Sequence, residues 1–180
     1  KNELIEIAFN TFIEKFDDKY SRFKPESIIT NLNSTHKLLK PGAETIALLE
    51  YGLTLYHDTH EVFNFLVGET LETHGYDAKY SFTPKDFSVT TPDPTEAIRI
   101  SKEMIVLSLG HIDIGGYGKG YLIDLVADRL KTKHHLEHFL INGGGDMFGT
   151  SNLGEPITIY LEHPSTPDTY LEKTTLLNEG

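Results

Sequence analysis

Two glycine-rich turns hold the residues of this sequence best suited to chemistry. The first, Asp113-Ile114-Gly115-Gly116-Tyr117-Gly118-Lys119-Gly120-Tyr121, leads from a short apolar stretch into a helical pattern. Glycine lets the backbone come close to a ligand and take positive φ. The start of a helix offers unpaired N–H groups and a partial positive charge, which suit a phosphate. Lys119 adds a full cation at that point. A plain strand-to-helix turn with a solvated lysine has the same residue types, and glycine spacing alone does not decide between them. A P-loop fails on spacing, because Asp113 and Gly120 stand where it needs Gly and Ser or Thr. A dinucleotide fingerprint fails too, because the spacing here is Gly116-x-Gly118-x-Gly120. The second turn, Asn142-Gly143-Gly144-Gly145-Asp146, ends the apolar run His138–Ile141. Three consecutive glycines suggest close approach of a backbone or ligand, and Asp146 reads as a turn residue.

Other reactive side chains are less well placed. His57 and His60 are three apart, and His134 and His138 are four apart, with His135 and Glu137 between them. Either pair would share a face of a helix. The second pair lies at an expected helix-to-strand junction, so both read as solvated histidines rather than zinc ligands. Ser21 and Ser27 lack the surroundings of an activated nucleophile and read as turn caps. The sequence has no cysteine, which excludes disulfides, thiolate nucleophiles and Cys-ligated metals.

The elements that must position these residues follow from periodicity. Leu4, Ala8, Phe12, Phe16 and Tyr20, flanked by Ile5, Phe9 and Ile13, predict a helix over about 3–19. Ser21–Ser34 reads as a polar connection. Pro41-Gly42 opens a second helix over 43–58, with Ile46, Leu49, Leu53 and Tyr56 as its stripe. Val62–Leu71 is apolar and ambiguous, and 75–96 reads as loops with one or two short strands. Ile105–Leu109 and Ile112–Ile114 predict two strands joined at Gly110. Leu122, Leu125, Val126 and Leu130 mark a third helix over 119–132. His138–Ile141 predicts a buried strand and Ile157–Glu162 a further one, followed by a polar tail. Helices and strands are interspersed irregularly, so the expected fold is α+β: one domain over 1–180, a mixed sheet with packed helices.

With the turns and elements in place, the sequence resembles the ApbE family, the FAD:protein FMN transferases. The family pattern is an aspartate, a small-residue turn, Lys-Gly-Tyr and an Asn-x-Gly-Gly-Asp turn downstream. Here it matches Ile112–Leu130 and Ile141–Asp146. Asp18–Ser27 with Asn31-Leu32-Asn33 resembles its Ser-Arg-Phe-x-Pro-x-Ser…Leu-Asn element. His60–Gly68 resembles Ala-Phe-Asp-x-Thr-Val-Gly, Gly75-Tyr76 resembles Gly-Phe, and Ile159–Pro164 resembles the following strand and Pro. Together these ordered elements extend over nearly the whole chain.

The resemblance implies that Asp113 and Lys119 contact FAD and that Phe23 lies against the flavin nucleotide. Val62, Phe63 and Asn64 would line the adenosine side, and the Gly116 carbonyl would face a Mg²⁺ site. It implies a bacterial enzyme that transfers FMN from FAD to a threonine hydroxyl of an acceptor protein and releases AMP. A noncatalytic FAD-binding relative and an FAD pyrophosphatase are the alternatives. An extracytoplasmic location, periplasmic or anchored through an N-terminal segment, comes with the same resemblance. Asn64 departs from the family's acidic residue, and Gly118 from its common alanine. The family's Met-Gly-Thr strand would precede Lys1. Its Thr-Ser-Gly and His-x-x-Asp-Pro elements, and the Asp and Thr that hold magnesium, would follow Gly180. The expectation is therefore a domain incomplete at both ends.

The bulk composition fits a folded protein: 180 residues, 38% hydrophobic, with 9 Tyr and 10 Phe. With 16 basic against 27 acidic residues the net charge is -11, which disfavours nucleic acid as a partner. The same field opposes FAD's diphosphate unless a metal or local cation compensates.

Overall fold

A computed structural model describes residues 2–79, 81–151, 156–166, 168–176 and 178–179. The chain forms two compact units, Lys1–Gly118 and Lys119–Gly180. The fold class is α+β as expected, but the strands form three small sheets rather than one. Among the described residues, no helix is long and apolar enough to cross a membrane.

The first unit opens with α1 (Asn2–Tyr20). Phe16 and Tyr20 are buried on its predicted face, and Ile13 lies off it at 42% exposure. The side chains of Leu4, Ile5 and Ala8 lie outside the described residues. The last turn of α1 meets the first turn of α3 (Ala43–Asp58). There Lys19 Nζ donates to Glu44 Oε1 at 2.9 Å, and Tyr20 Oη donates to the same oxygen at 2.8 Å. A cation at a helix C-terminus and a carboxylate in a first turn both complement the helix dipoles. Pro41 precedes the N-cap, Gly42, instead of entering the first turn of α3.

The stretch read as a polar connection contains α2 (Ile28–Thr35). Ser27 caps it by accepting the Thr30 N–H at 3.0 Å, and Ile29 and Leu32 are fully buried. A two-turn helix with so few apolar residues leaves no readable period. The first sheet has β3 (Met104–Leu107) at its centre, between β1 (Lys37–Leu39) and β2 (Ile98–Ile100), all antiparallel. Ile105 and Leu107 are its buried face, and the strand ends there, leaving Leu109 63% exposed. The hairpin joins β2 to β3, and no hairpin forms at Gly110.

Ile112–Ile114 is not a strand. The neighbouring backbone bridges only once, Val67 with His111, in parallel. The main chain of Ile112 is satisfied by a side chain instead. Asn33 Nδ2 donates to the Ile112 carbonyl at 3.0 Å, and the Ile112 N–H donates to Asn33 Oδ1 at 2.8 Å. Asp113 N–H then donates to the Phe65 carbonyl at 2.8 Å. The amide of Asn33 does the work of an adjacent strand, because buried backbone groups must be paired by something. Two short helices complete the unit: α4 (Gly68–Thr73) and α5 (Pro94–Ala97), the latter capped by Asp93. No strand occurs among the described residues of 75–96.

The second unit contains all but the first residue of α6 (Gly118–His134), which buries Ile123, Val126, Ala127 and Leu130. β4 (His138–Asn142) and β5 (Met147–Ser151) form a hairpin, extended by β8 (Asn178–Glu179). β4 is not the buried strand expected. It alternates exposed and half-buried residues, with Leu140 44% exposed. β6 (Ile157–Glu162) matches its predicted span and pairs with β7 (Tyr170–Leu176), which lies in the expected polar tail.

Candidate functional site

In the first unit two of the predicted site residues, Phe23 and Asp113, meet at one buried cation, Arg22. It sits in the turn between α1 and α2, with its side chain 5% exposed. Its Nε donates to Asp113 Oδ2. Nη1 donates to Glu72 Oε1 at 3.1 Å, and Nη2 to the Tyr76 carbonyl at 2.7 Å. The guanidinium carbon lies 4.2 Å from the centroid of the Phe23 ring and 5.4 Å from that of Tyr76. The two rings meet edge to face at 5.7 Å. Asp113 is also buried, and its second oxygen accepts the Gly115 N–H at 2.6 Å. Among the described residues, no buried side-chain nitrogen or oxygen lacks a hydrogen-bond partner. A buried ion pair is tolerable only when it is satisfied in this way.

The glycine turn is built by close packing, not by positive φ. None of Gly115, Gly116, Gly118 and Gly120 has positive φ, so of the two uses of glycine this turn does not draw on that one. A Cβ on Gly115 would stand 2.8 Å from Asp113 Oδ1, and one on Gly116 3.1 Å from the edge of the Phe63 ring. Phe63 is half-buried, and its ring meets Tyr117 edge to face at 5.7 Å. Val62 is 86% exposed. Asn64 uses both ends of its amide internally. Nδ2 donates to the Pro92 carbonyl at 2.9 Å, and Oδ1 accepts the Leu66 N–H at 2.8 Å.

Lys119 belongs to the second unit and is not simply solvated. Its Nζ lies 2.6 Å from Asp146 Oδ2, both side chains being about half exposed. Asp146, read from the sequence as a turn residue, is thus also a charge partner. The Asn142–Asp146 turn is tied by Asn142 Oδ1, which accepts the Gly144 and Gly145 N–H groups at 3.0 Å each. These two glycines do have positive φ, at 79° and 107°.

Sequence reasoning assigned no role to Arg22. Its signal was available: an arginine next to an aromatic residue in the segment that follows α1. Ser27 is the helix cap its reading expects. His57 lies in the last turn of α3, whereas His60 lies past its end with φ 53°. His134 ends α6 and His138 begins β4. Among the described residues, no group of three His, Asp or Glu side chains is arranged to hold a metal.

The sequence profile of the ApbE family matches residues 2–179. In structure the chain is similar to a mutant form of the flavin transferase ApbE from Vibrio cholerae, with TM-score 0.76 and 17% identity over 99% of this chain and 63% of that one. It is similar to the ApbE protein from Thermotoga maritima, with TM-score 0.77 and 18% identity over 98% of this chain and 60% of that one. It is also similar to the flavinyl transferase ApbE from Pseudomonas stutzeri in its apo form, with TM-score 0.77 and 18% identity over 90% and 57%. At such identities the likeness is one of fold. The chain spans between 57% and 63% of the length of these relatives. No curated protein matches it in sequence.

Proposed function

Because the chain belongs to the ApbE family, we propose that it is part of a flavin transferase that moves FMN from FAD to a threonine hydroxyl of an acceptor protein. The observation that carries this reading is the family match over residues 2–179. The chemistry of the first unit agrees with it. Phe23 and Phe63 are half-buried rings of the kind that hold planar heteroaromatic groups, and Gly115 and Gly116 open the turn without side chains. In this reading Phe23 lies against the flavin, Val62, Phe63 and Asn64 line the adenosine side, and Asp113 and Lys119 serve the ligand's polar part.

Bound FAD supplies the flavin mononucleotide and a diphosphate whose cleavage releases AMP. The threonine oxygen attacks the phosphorus of the FMN half and a P–O bond forms. The bond to AMP breaks, AMP leaves with the electron pair, and the hydroxyl proton goes to a general base. The diphosphate's charge must be offset in a protein of net charge -11. In this reading Lys119 and the N-terminus of α6 offset it. Magnesium fits the described residues poorly. Gly116 offers one carbonyl, and the oxygens of the buried carboxylate, Asp113, are taken by Arg22 and Gly115. No step above is therefore assigned to the ion. On family grounds the reaction takes place outside the cytoplasm.

The test is to incubate the protein with FAD, Mg²⁺ and an acceptor protein, following in-gel flavin fluorescence and AMP release. The expected result is a fluorescent acceptor and one AMP per flavin attached, both lost when the acceptor threonine is changed to valine. AMP and free FMN without a labelled acceptor would mean hydrolysis instead. No FAD binding at all would overturn the flavin reading.

A further inference from the structure

Arg22 lies where three segments of the first unit meet: the turn after α1, the end of α4 with Tyr76, and the start of the glycine turn. We infer that Arg22 is a positioning residue, whose guanidinium sets from one buried point both the plane of the Phe23 ring and, through Asp113, the backbone at Gly115. The inference rests on the flavin reading above for what the positioned groups then hold, but its geometry stands without it.

The argument starts from what a buried ion pair can supply. Arg22 and Asp113 have side chains 5% and 6% exposed. Such pairs add little stability over a well-packed apolar replacement, because desolvation offsets the attraction. What they add is direction. Guanidinium is a planar fork with fixed donor vectors, and here its three nitrogens serve three different partners: Asp113, Glu72 and the Tyr76 carbonyl. A lysine ammonium has no such fork and cannot hold all three in one plane.

Two further observations show where that direction is used. Asp113 divides its oxygens, one to Arg22 and the other to the Gly115 N–H at 2.6 Å. Residue 115 must be glycine for this approach, since a Cβ would come to 2.8 Å from that carboxylate oxygen. The Arg22 plane therefore fixes the carboxylate, and the carboxylate fixes the turn. On its other side the guanidinium carbon lies 4.2 Å from the Phe23 centroid, within cation–π range. Tyr76 closes against Phe23 edge to face, and its carbonyl is held by the same cation. One residue thus couples an aromatic surface to the backbone at Gly115. A purely structural bridge has no need of that coupling.

The test uses Arg22→Lys, which keeps the charge and loses the fork, and Glu72→Gln, which weakens only the partly exposed arm. Hydrogen exchange on the FAD-free protein is the first readout. In Arg22→Lys the Gly115 amide should exchange about tenfold faster or more, while Ile105 and Leu107 in β3 keep their protection. Glu72→Gln should leave Gly115 within about threefold of wild type, as expected for a partly exposed pair. FAD titration is the second readout. Arg22→Lys should bind about tenfold more weakly or worse, and Glu72→Gln near wild type.

Equal acceleration across β3 and the turn would make Arg22 a general stabiliser and overturn the inference. Unchanged Gly115 exchange in Arg22→Lys would overturn it as well. If Arg22→Lys does not fold, Asp113→Asn, which keeps an acceptor for Gly115 but sets an N–H donor against Arg22, is read by the same criteria. If wild-type protein binds no FAD, the flavin reading fails, and the exchange result alone decides the positioning role.

Discussion

Asn64 is held at both ends of its amide, donating to the Pro92 carbonyl and accepting from the Leu66 N–H. The family pattern has an acidic residue at this position, and a carboxylate could satisfy only the second partner. Asn64→Asp would leave the Pro92 carbonyl facing negative charge, at a cost of about 1 kcal/mol. The expected outcome is a lower Tm in thermal melts with no gain in FAD affinity. Tighter FAD binding would show instead that the position reads adenosine directly. Lys119 poses a second question at this scale, because its ammonium is paired with Asp146 at 2.6 Å. A pair this exposed contributes at most about 1 kcal/mol to stability. Lys119→Ala should therefore weaken FAD binding about tenfold with little change in Tm, as for loss of one charge-assisted contact. Asp146→Asn should tighten binding, because the ligand no longer competes for the lysine. Unchanged affinity in both variants would make the pair a surface contact only.

At the scale of elements, α2 shows how a short helix depends on its cap. Ser27 is fully buried, accepts the Thr30 N–H at 3.0 Å and donates to Thr30 Oγ1 at 3.0 Å. Ser27→Ala should cost about 1 kcal/mol, read as a lower midpoint in urea unfolding, and Ser27→Asp should recover part of it. Equal loss in both variants would mean that burial, not capping, is what the serine provides. The long helices α1, α3 and α6 were legible because their apolar residues recur over several turns, and β6 because it alternates over six residues. β1 and β2 have three residues each, too few to show a period, and β7 exposes most of its side chains. Ile112–Ile114 misled for a physical reason. Apolar residues flanking Asp113 imitate strand alternation, yet the backbone there is paired by Asn33 and the carboxylate by Arg22. Both partners are distant in sequence. For the candidate site, the glycine turn, Asp113 and Lys119 stood out as chemistry, but Arg22, Asn33 and the pairing of Lys119 with Asp146 did not, because side-chain partners leave no local pattern.

For the whole molecule, the charge balance sets opposing trends with pH. Net charge is -11, so acid relieves self-repulsion, a long-range effect that salt at about 0.15 M screens beyond roughly 8 Å. Acid also removes specific anions that the fold uses. At the junction of α1 and α3, burial raises the Glu44 pKa, but hydrogen bonds from Lys19 and Tyr20 outweigh it and hold the carboxyl below its ordinary 4.5. Asp77 and Asp93 lie below 3.8, the first through Ser81 and the second through Thr95. A carboxylate with a depressed folded pKa stabilises above its unfolded pKa, and that stability is lost as pH falls through the folded value. On the basic side, burial raises the Tyr20 hydroxyl above 10.0. Burial would lower Lys19, but its bonds to Tyr20 and Glu44 raise it above 10.5. Groups raised in this way stabilise below their unfolded pKa, and that stability is lost as pH rises through the folded value. Short-range pairs outlast screened repulsion at physiological salt. Tm should therefore be flat between about pH 5 and pH 9, and should fall on the acid side below about pH 4 and on the basic side above about pH 10. Glu44→Gln should lower the plateau and shrink the acid fall, and Tyr20→Phe should shrink the basic fall. Thermal melts of the three proteins across this range, in low salt and at about 0.15 M salt, separate the terms. A wild-type Tm that rises steadily down to pH 3 at the higher salt would show that general repulsion, not the α1–α3 junction, governs this fold.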